Sequence, residues 1–236
     1  MGSFCLNRKS FWSGFNNQAL LAFNKHYSFA LGYENRYGIS ELGTLRTALT
    51  VPAGNTSLGL FFSHFGYSGF YRNTTGIACG MNLAGNLSAG IQVDCLSERT
   101  PGEYDNFQAV TFEAGLVLVP SDKIIAGFHI YNPVPNSLRK YFLPSSITAG
   151  AGIDLSKELF AGAEVEMSTG NKPVLRTGFE YEAVKQLWIR GGFSTENMSF
   201  TVGTGYLFKD IKLDLGFASH EKLGITSSVS VIYSFR

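Results

Sequence analysis

Side chains alternate in character along most of this chain. In Tyr27-Ser28-Phe29-Ala30-Leu31-Gly32-Tyr33-Glu34 one face is Tyr, Phe, Leu and Tyr, and the other is Ser, Ala, Gly and Glu. Leu45-Arg46-Thr47-Ala48-Leu49-Thr50-Val51 and Leu87-Ser88-Ala89-Gly90-Ile91-Gln92-Val93-Asp94 follow the same rule. So do Ile147-Thr148-Ala149-Gly150-Ala151-Gly152-Ile153-Asp154 and Val229-Ser230-Val231-Ile232-Tyr233-Ser234. A period of two marks a β-strand, whose successive side chains point to opposite faces. From Tyr27 to Tyr233 the pattern predicts an all-β chain.

A soluble antiparallel sandwich also alternates. Two features point instead to a transmembrane antiparallel β-barrel. The non-apolar face is rich in Gly, Ala and Ser, as suits the inside of a narrow curved wall, where a solvent face would carry more Lys and Glu. The apolar face also persists in nearly every segment, and no amphipathic helix is available to cover it. A membrane strand needs about 9–11 residues, and a closed barrel pairs every backbone group.

Breaks at turn residues predict about fourteen strands, an even number as bacterial single-chain barrels have. They fall near 26–38, 41–53, 55–70, 71–85, 86–100, 105–122, 123–134, 142–158, 159–172, 173–186, 187–198, 199–210, 211–224 and 225–236. Alternate connections are tight: Pro52-Ala53-Gly54-Asn55, Ala84-Gly85-Asn86, Pro120-Ser121-Asp122, Ser156-Lys157-Glu158, Val184-Lys185-Gln186 and Lys209-Asp210. The others, including 97–106 and the Pro-containing 132–145, are longer and more varied. Short turns on the periplasmic side and longer outer loops are the usual asymmetry, and an even count puts both chain ends on the short-turn side.

Residues 1–25 do not alternate. Phe11, Trp12, Phe15 and Leu20 are spaced irregularly among Asn16, Asn17 and Gln18. We expect two parts: residues 1–25 as a plug or periplasmic cap, with Phe11, Trp12, Phe15, Asn16, Asn17 and Leu20 as its core, and residues 26–236 as the barrel. No basic stretch followed by an apolar one comes after Met1-Gly2-Ser3, so the export signal of an outer-membrane protein is expected outside this numbering.

Composition narrows the picture. Charged residues make up 16% of the chain and aromatics 14%, with 27 glycines; a soluble domain carries about 25% charged residues. Net charge is +1 with no basic run, which removes the footprint expected of a nucleic-acid binder. No run of 18 apolar residues offers a transmembrane helix. Cys5, Cys79 and Cys95 are odd in number and lack metal-ligand spacing, so neither a disulfide framework nor a metal site is expected. Cys79 and Cys95 fall on the apolar face.

Phe11-Trp12-Ser13-Gly14-Phe15-Asn16-Asn17-Gln18-Ala19-Leu20-Leu21-Ala22, after Met1-Gly2-Ser3-Phe4, resembles the N-terminal signature of the PorV/PorQ outer-membrane proteins of Bacteroidota. Arg176-Thr177-Gly178-Phe179-Glu180-Tyr181, Leu187-Trp188-Ile189-Arg190-Gly191-Gly192 and Leu213-Asp214-Leu215-Gly216-Phe217 resemble its late strands. Leu20 stands where members often have Gly. The resemblance implies the fold of the FadL fatty-acid channels, fourteen strands with an N-terminal hatch. It also implies a role beside type IX secretion, holding or shuttling cargo. This chain is short for a FadL-like transporter and lacks long loops.

Alternation places Glu164, Glu166, Arg176, Glu180, Arg190 and Asp214 in the lumen, together with Arg46, Glu113, Asp154, Glu182 and Lys212. A hairpin centred in 168–172 would set Glu166 against Arg176, and one centred on Val184-Lys185-Gln186 would set Glu180 against Arg190. Opposed charges on neighbouring strands pair, whereas an unpaired charge in a confined space is costly. Such a set could form a polar lane for ions or a neutralised network stiffening a plugged lumen; the opposed pairs favour the network. Ser219-His220-Glu221 lies in the last outer loop, but adjacency in sequence does not make a nucleophile and base converge. No enzymatic activity and no cofactor are expected.

The leading expectation is a bacterial outer-membrane barrel, embedded in lipid, that serves as a subunit or cargo holder of a secretion or assembly complex. Its partners would be other envelope proteins, met through the loop bearing Arg139, Lys140, Tyr141 and Phe142. The alternative is a FadL-like passive transporter of hydrophobic small molecules.

Overall fold

The computed structural model describes residues 9–100, 107–134, 137–138 and 141–235. Strands β1 (Tyr27–Asn35), β2 (Gly43–Ala53), β3 (Thr56–Gly66), β4 (Tyr71–Ala84), β5 (Leu87–Arg99), β6 (Phe107–Ser121) and β7 (Ile124–Tyr131) are consecutive antiparallel neighbours. A short pair, β8 (Ser137–Leu138) and β9 (Tyr141–Phe142), forms a sheet of its own. The wall resumes with β10 (Ser146–Asp154), β11 (Leu159–Ser168), β12 (Val174–Val184) and β13 (Leu187–Ser194). It ends with β14 (Ser199–Phe208), β15 (Ile211–His220) and β16 (Gly224–Phe235). β16 pairs with β1, Tyr27 opposite Phe235, and closes a barrel of fourteen strands.

Each of the fourteen strands expected from the alternation is present. Several stop short of their expected ends: the strand placed at 142–158 is Ser146–Asp154, and Tyr141–Phe142 pairs with Ser137–Leu138 rather than with the wall. The connections sort onto two rims. One carries two-residue turns, such as 54–55, 85–86, 185–186 and 209–210, together with both ends of the wall. The other carries the longer loops, such as 36–42, 132–145 and 169–173. The three register shifts, at 82/84, 118/121 and 182/184, all lie beside the turn rim, and toward the loop rim β6 runs past β7, whose pairing with it begins at Glu113 opposite Tyr131.

The outer face explains the alternation. On β4 and β5, Ile77 and Ile91 are 65% and 63% exposed, whereas their inward neighbours Ala78 and Gln92 are buried. Tyr27, Phe208 and Phe235 near the turn rim, and Tyr33 and Phe200 near the loop rim, are also exposed. An apolar belt with aromatics at both margins is the surface a bilayer requires. No described helix is long and apolar enough to cross a membrane; strands make the crossing.

The core lies inside the lumen. Residues Phe11–Phe15 and Gln18–Phe23 form two short 3-10 helices, and the Asn17 side chain accepts a hydrogen bond from the Ala19 N–H at 3.2 Å. Leu20 packs with Val117, Ile125 and Phe160 on one side, and Leu21 with Ala48, Phe61 and Ala78 on the other. Burying each such leucine contributes roughly 1.5–3 kcal/mol.

Candidate functional site in the barrel lumen

The N-terminal segment rests on a row of glycines. Gly80 on β4, Gly90 on β5 and Gly115 on β6 stand opposite one another in register. A Cβ on Gly80 would collide with the Gln18 carbonyl, one on Gly90 with the Gln18–Ala19 peptide, and one on Gly115 with the Asn17 amide oxygen. The wall is thus shaped to let Asn17-Gln18-Ala19 lie against it. Asn17 Nδ2 donates to the Leu116 carbonyl at 3.3 Å.

The aromatic residues of the segment face across the lumen. Trp12 Nε1 donates to Ser230 Oγ on β16 at 3.0 Å, Phe11 meets Trp12 edge-on with ring centres 5.4 Å apart, and the Phe15 and Phe61 ring centres are 3.6 Å apart. Asn16 is the exception among the residues expected to pack here. It is exposed, and its Nδ2 donates to the Trp12 carbonyl at 3.3 Å.

Two charge groups stand elsewhere on the inner wall. Glu180 and Arg190 are cross-strand partners, and Arg190 Nε donates to Glu180 Oε2 at 2.6 Å. Arg190 also crosses over Gly205 to bind Asp214. The second group departs from expectation. Arg176 stands opposite Glu164, and Glu166 opposite Val174. The hairpin pivots on Gly170, at φ +80°, which moves the pairing by two positions. Arg176 Nη1 still reaches Glu166 diagonally at 2.6 Å, with Glu164 at 3.6 Å.

A third group gathers around Glu113, which alternation had placed in the lumen without its partners. Gln18 Nε2 donates to Glu113 Oε2 at 2.6 Å and to Gln92 Oε1 at 3.4 Å. Gln92 Nε2 in turn donates to Asp94 Oδ1 at 2.8 Å, and His129 Nε2 lies 3.1 Å from Glu113 Oε2. Asp94 is only 3% exposed, and its Oδ2 has no hydrogen-bond partner. The signal was present in the strand itself, since Ser88, Gly90, Gln92 and Asp94 share the inward face by alternation. Gln18, in a segment without periodicity, offered none. Among the described residues no group of three His, Cys, Asp or Glu side chains could hold a metal ion.

Between the segment and the wall lies a cavity of about 840 Å³. Its lining extends along β16 from Thr226, near the loop rim, to Ser234, near the turn rim. One side is apolar, with Phe11, Trp12, Phe15, Leu21 and Phe61. The other is built of small residues such as Gly203, Gly216, Ser228 and Ser230. The segment therefore fills one side of the lumen and leaves a lane along the other.

The remaining candidates are scattered. Ser219 Oγ binds the backbone of Phe200, while His220 Nδ1 accepts from the N–H groups of Lys222 and Leu223, so the two do not converge on a reaction centre. Cys95 is exposed on the outer face and Cys79 is partly so. Arg139 and Lys140 lie outside the described residues, as do Cys5 and 101–106, and Tyr141 and Phe142 are described only as strand β9.

These features define a class of fold, the closed fourteen-stranded antiparallel barrel with an N-terminal segment in its lumen and an apolar belt outside. The fold is shared over the whole chain with a solved structure of the TodX monoaromatic hydrocarbon channel carrying a deltaS2S3 mutation. That match has a TM-score of 0.81 at 12% identity, covering 100% of this chain and 97% of that one. The CymD monoaromatic hydrocarbon channel matches at a TM-score of 0.75 and 13% identity, covering 100% and 96%. A Pseudomonas aeruginosa FadL homologue matches at 0.69 and 14%, covering 95% and 94%. No protein-family model and no curated protein matches the chain.

Proposed function

We propose that this protein is a passive outer-membrane channel for small hydrophobic compounds, whose lumen is narrowed by the N-terminal segment. The observation that carries the reading is the cavity of about 840 Å³ beside that segment. It has the size of a small-molecule site, usually about 300–1,000 Å³, and one face is aromatic and aliphatic. The lining runs along β16 from Thr226 to Ser234, which favours a route lengthwise through the lumen. Structures with this fold include channels for monoaromatic hydrocarbons, which favours a substrate of that kind and a non-enzymatic role.

The test is uptake of toluene into proteoliposomes, with planar-bilayer conductance measured alongside. The full chain is expected to speed toluene entry over protein-free vesicles, and removal of residues 1–25 to raise both flux and conductance. Entry no faster than in empty vesicles would overturn the reading. The secretion or assembly role implied by the PorV/PorQ motifs rests on sequence alone. Stoichiometric recovery of secretion proteins with the tagged barrel, in mild detergent, would shift the balance to it.

A further inference from the structure

We infer that Asp94 and Glu113 form a binding site for the ammonium group of a small amphipathic amine inside the cavity. The inference rests on the transport reading and narrows its substrate class. Asp94 and Glu113 lie on adjacent strands, near enough for their charges to interact, and both line the cavity. Asp94 Oδ1 is held by Gln92, above Gly76, where a Cβ would collide with it. Asp94 Oδ2 is left buried and unpartnered. Two acids side by side in a dry wall either share one proton or take up a positive charge between them.

The described side chains do not supply one at Asp94. On β4, Arg72 is bound to Glu98 through Nε at 2.9 Å and Nη2 at 2.6 Å. On β7, His129 contacts Glu113 through Nε2, and Tyr131 offers a phenol. The N-terminal segment contributes only the neutral Gln18, whose own Oε1 is also unpartnered. Across the lumen, Arg190 is engaged by Glu180 and Asp214. A positive charge taken up by this pair would therefore be a guest's. The metal alternative lacks a third anionic or imidazole ligand set. An ammonium needs only acceptors, and the Asp94 and Glu113 oxygens on the cavity wall provide them. The apolar body of the guest would lie against Phe15, Leu21 and Phe61, which line the same cavity.

Isothermal titration of the full chain in detergent at neutral pH, with benzylamine, benzyl alcohol and toluene as probes, tests this. Benzylamine is expected to bind about ten-fold or more tightly than benzyl alcohol, as a charge-assisted hydrogen bond in a dry site implies. In Asp94→Asn that preference should fall to about two-fold or less, while Asp94→Glu should keep most of it. Equal affinities in the unmodified protein, the result expected if the two acids merely share a proton, would overturn the inference. So would a preference that survives in D94N, or displacement of benzylamine by an equal concentration of sodium. Should D94N fail to fold, the comparison of amine with alcohol on the unmodified chain decides alone. Toluene flux without amine preference removes this site and leaves the transport reading; amine binding without flux does the reverse.

Discussion

Arg190 shows what a single residue does in this wall. It is buried at 5% exposure and holds two carboxylates, one across the seam to β12 and one beyond β14 on β15. Replacing it with Met would take from Glu180 and Asp214 the guanidinium that both hold. Breaking a buried pair in this way costs about 3–5 kcal/mol. The R190M barrel should therefore unfold at lower urea concentration in vesicles, and adding Glu180→Gln should recover part of the loss; an unchanged midpoint for R190M would count against the network's structural weight. The opposition of Glu180 and Arg190 was legible because the hairpin is short, although the turn at 185–186 alone would set Glu180 against Gly191 and the register shift at 182/184 restores the pair. The opposition of Arg176 and Glu166 was not, because the loop at 169–173 can pivot on any of several residues, and Gly170 decides it.

At the scale of the element, β5 separates two solvents between adjacent positions. Gly90 faces the segment, and Ile91 faces outward at 63% exposure. Gly90→Val would put a branched side chain where the Gln18–Ala19 peptide lies. It should free the segment without unravelling the strand, and Trp12 fluorescence, read in a Trp188→Phe background, should become more open to acrylamide quenching. Ile91→Arg next door acts on the membrane face instead. Near the bilayer midplane it should cost about 2–4 kcal/mol, measured by unfolding in lipid, with Trp12 quenching unaffected. Alternation alone identified these faces. It could not show why Gly80, Gly90 and Gly115 are glycines, because their partner is a non-periodic segment about 60 to 100 residues away, and only the assembled register lines them up.

For the whole molecule, the fold was legible and the path of the N-terminal segment was not. Fourteen alternating stretches with tight turns at every second connection determine the wall, its closure and the side on which the chain ends meet. The 3-10 turns of Phe11–Phe15 and Gln18–Phe23 have no such signature. Their position depends on Leu20 and Leu21 finding opposite walls and on the glycine row beneath Gln18. The lumen charges could be placed on the inner face by alternation, yet Asp94, whose buried Oδ2 receives no hydrogen bond from a described N–H or O–H group, stood out only once its neighbours were in position.

The glycine row makes the segment, in effect, a ligand that the barrel carries on its own chain. The seat is complete in the strands, so the wall can close before the seat is filled. The short link from Phe23 to Tyr27 then holds the ligand at an effective concentration of about millimolar or more. A guest entering the lane competes with a tethered resident rather than with a fixed wall. Whatever loosens Asn17-Gln18-Ala19 from the seat thus acts as a change in the resident's affinity, set by contacts remote from the guest itself.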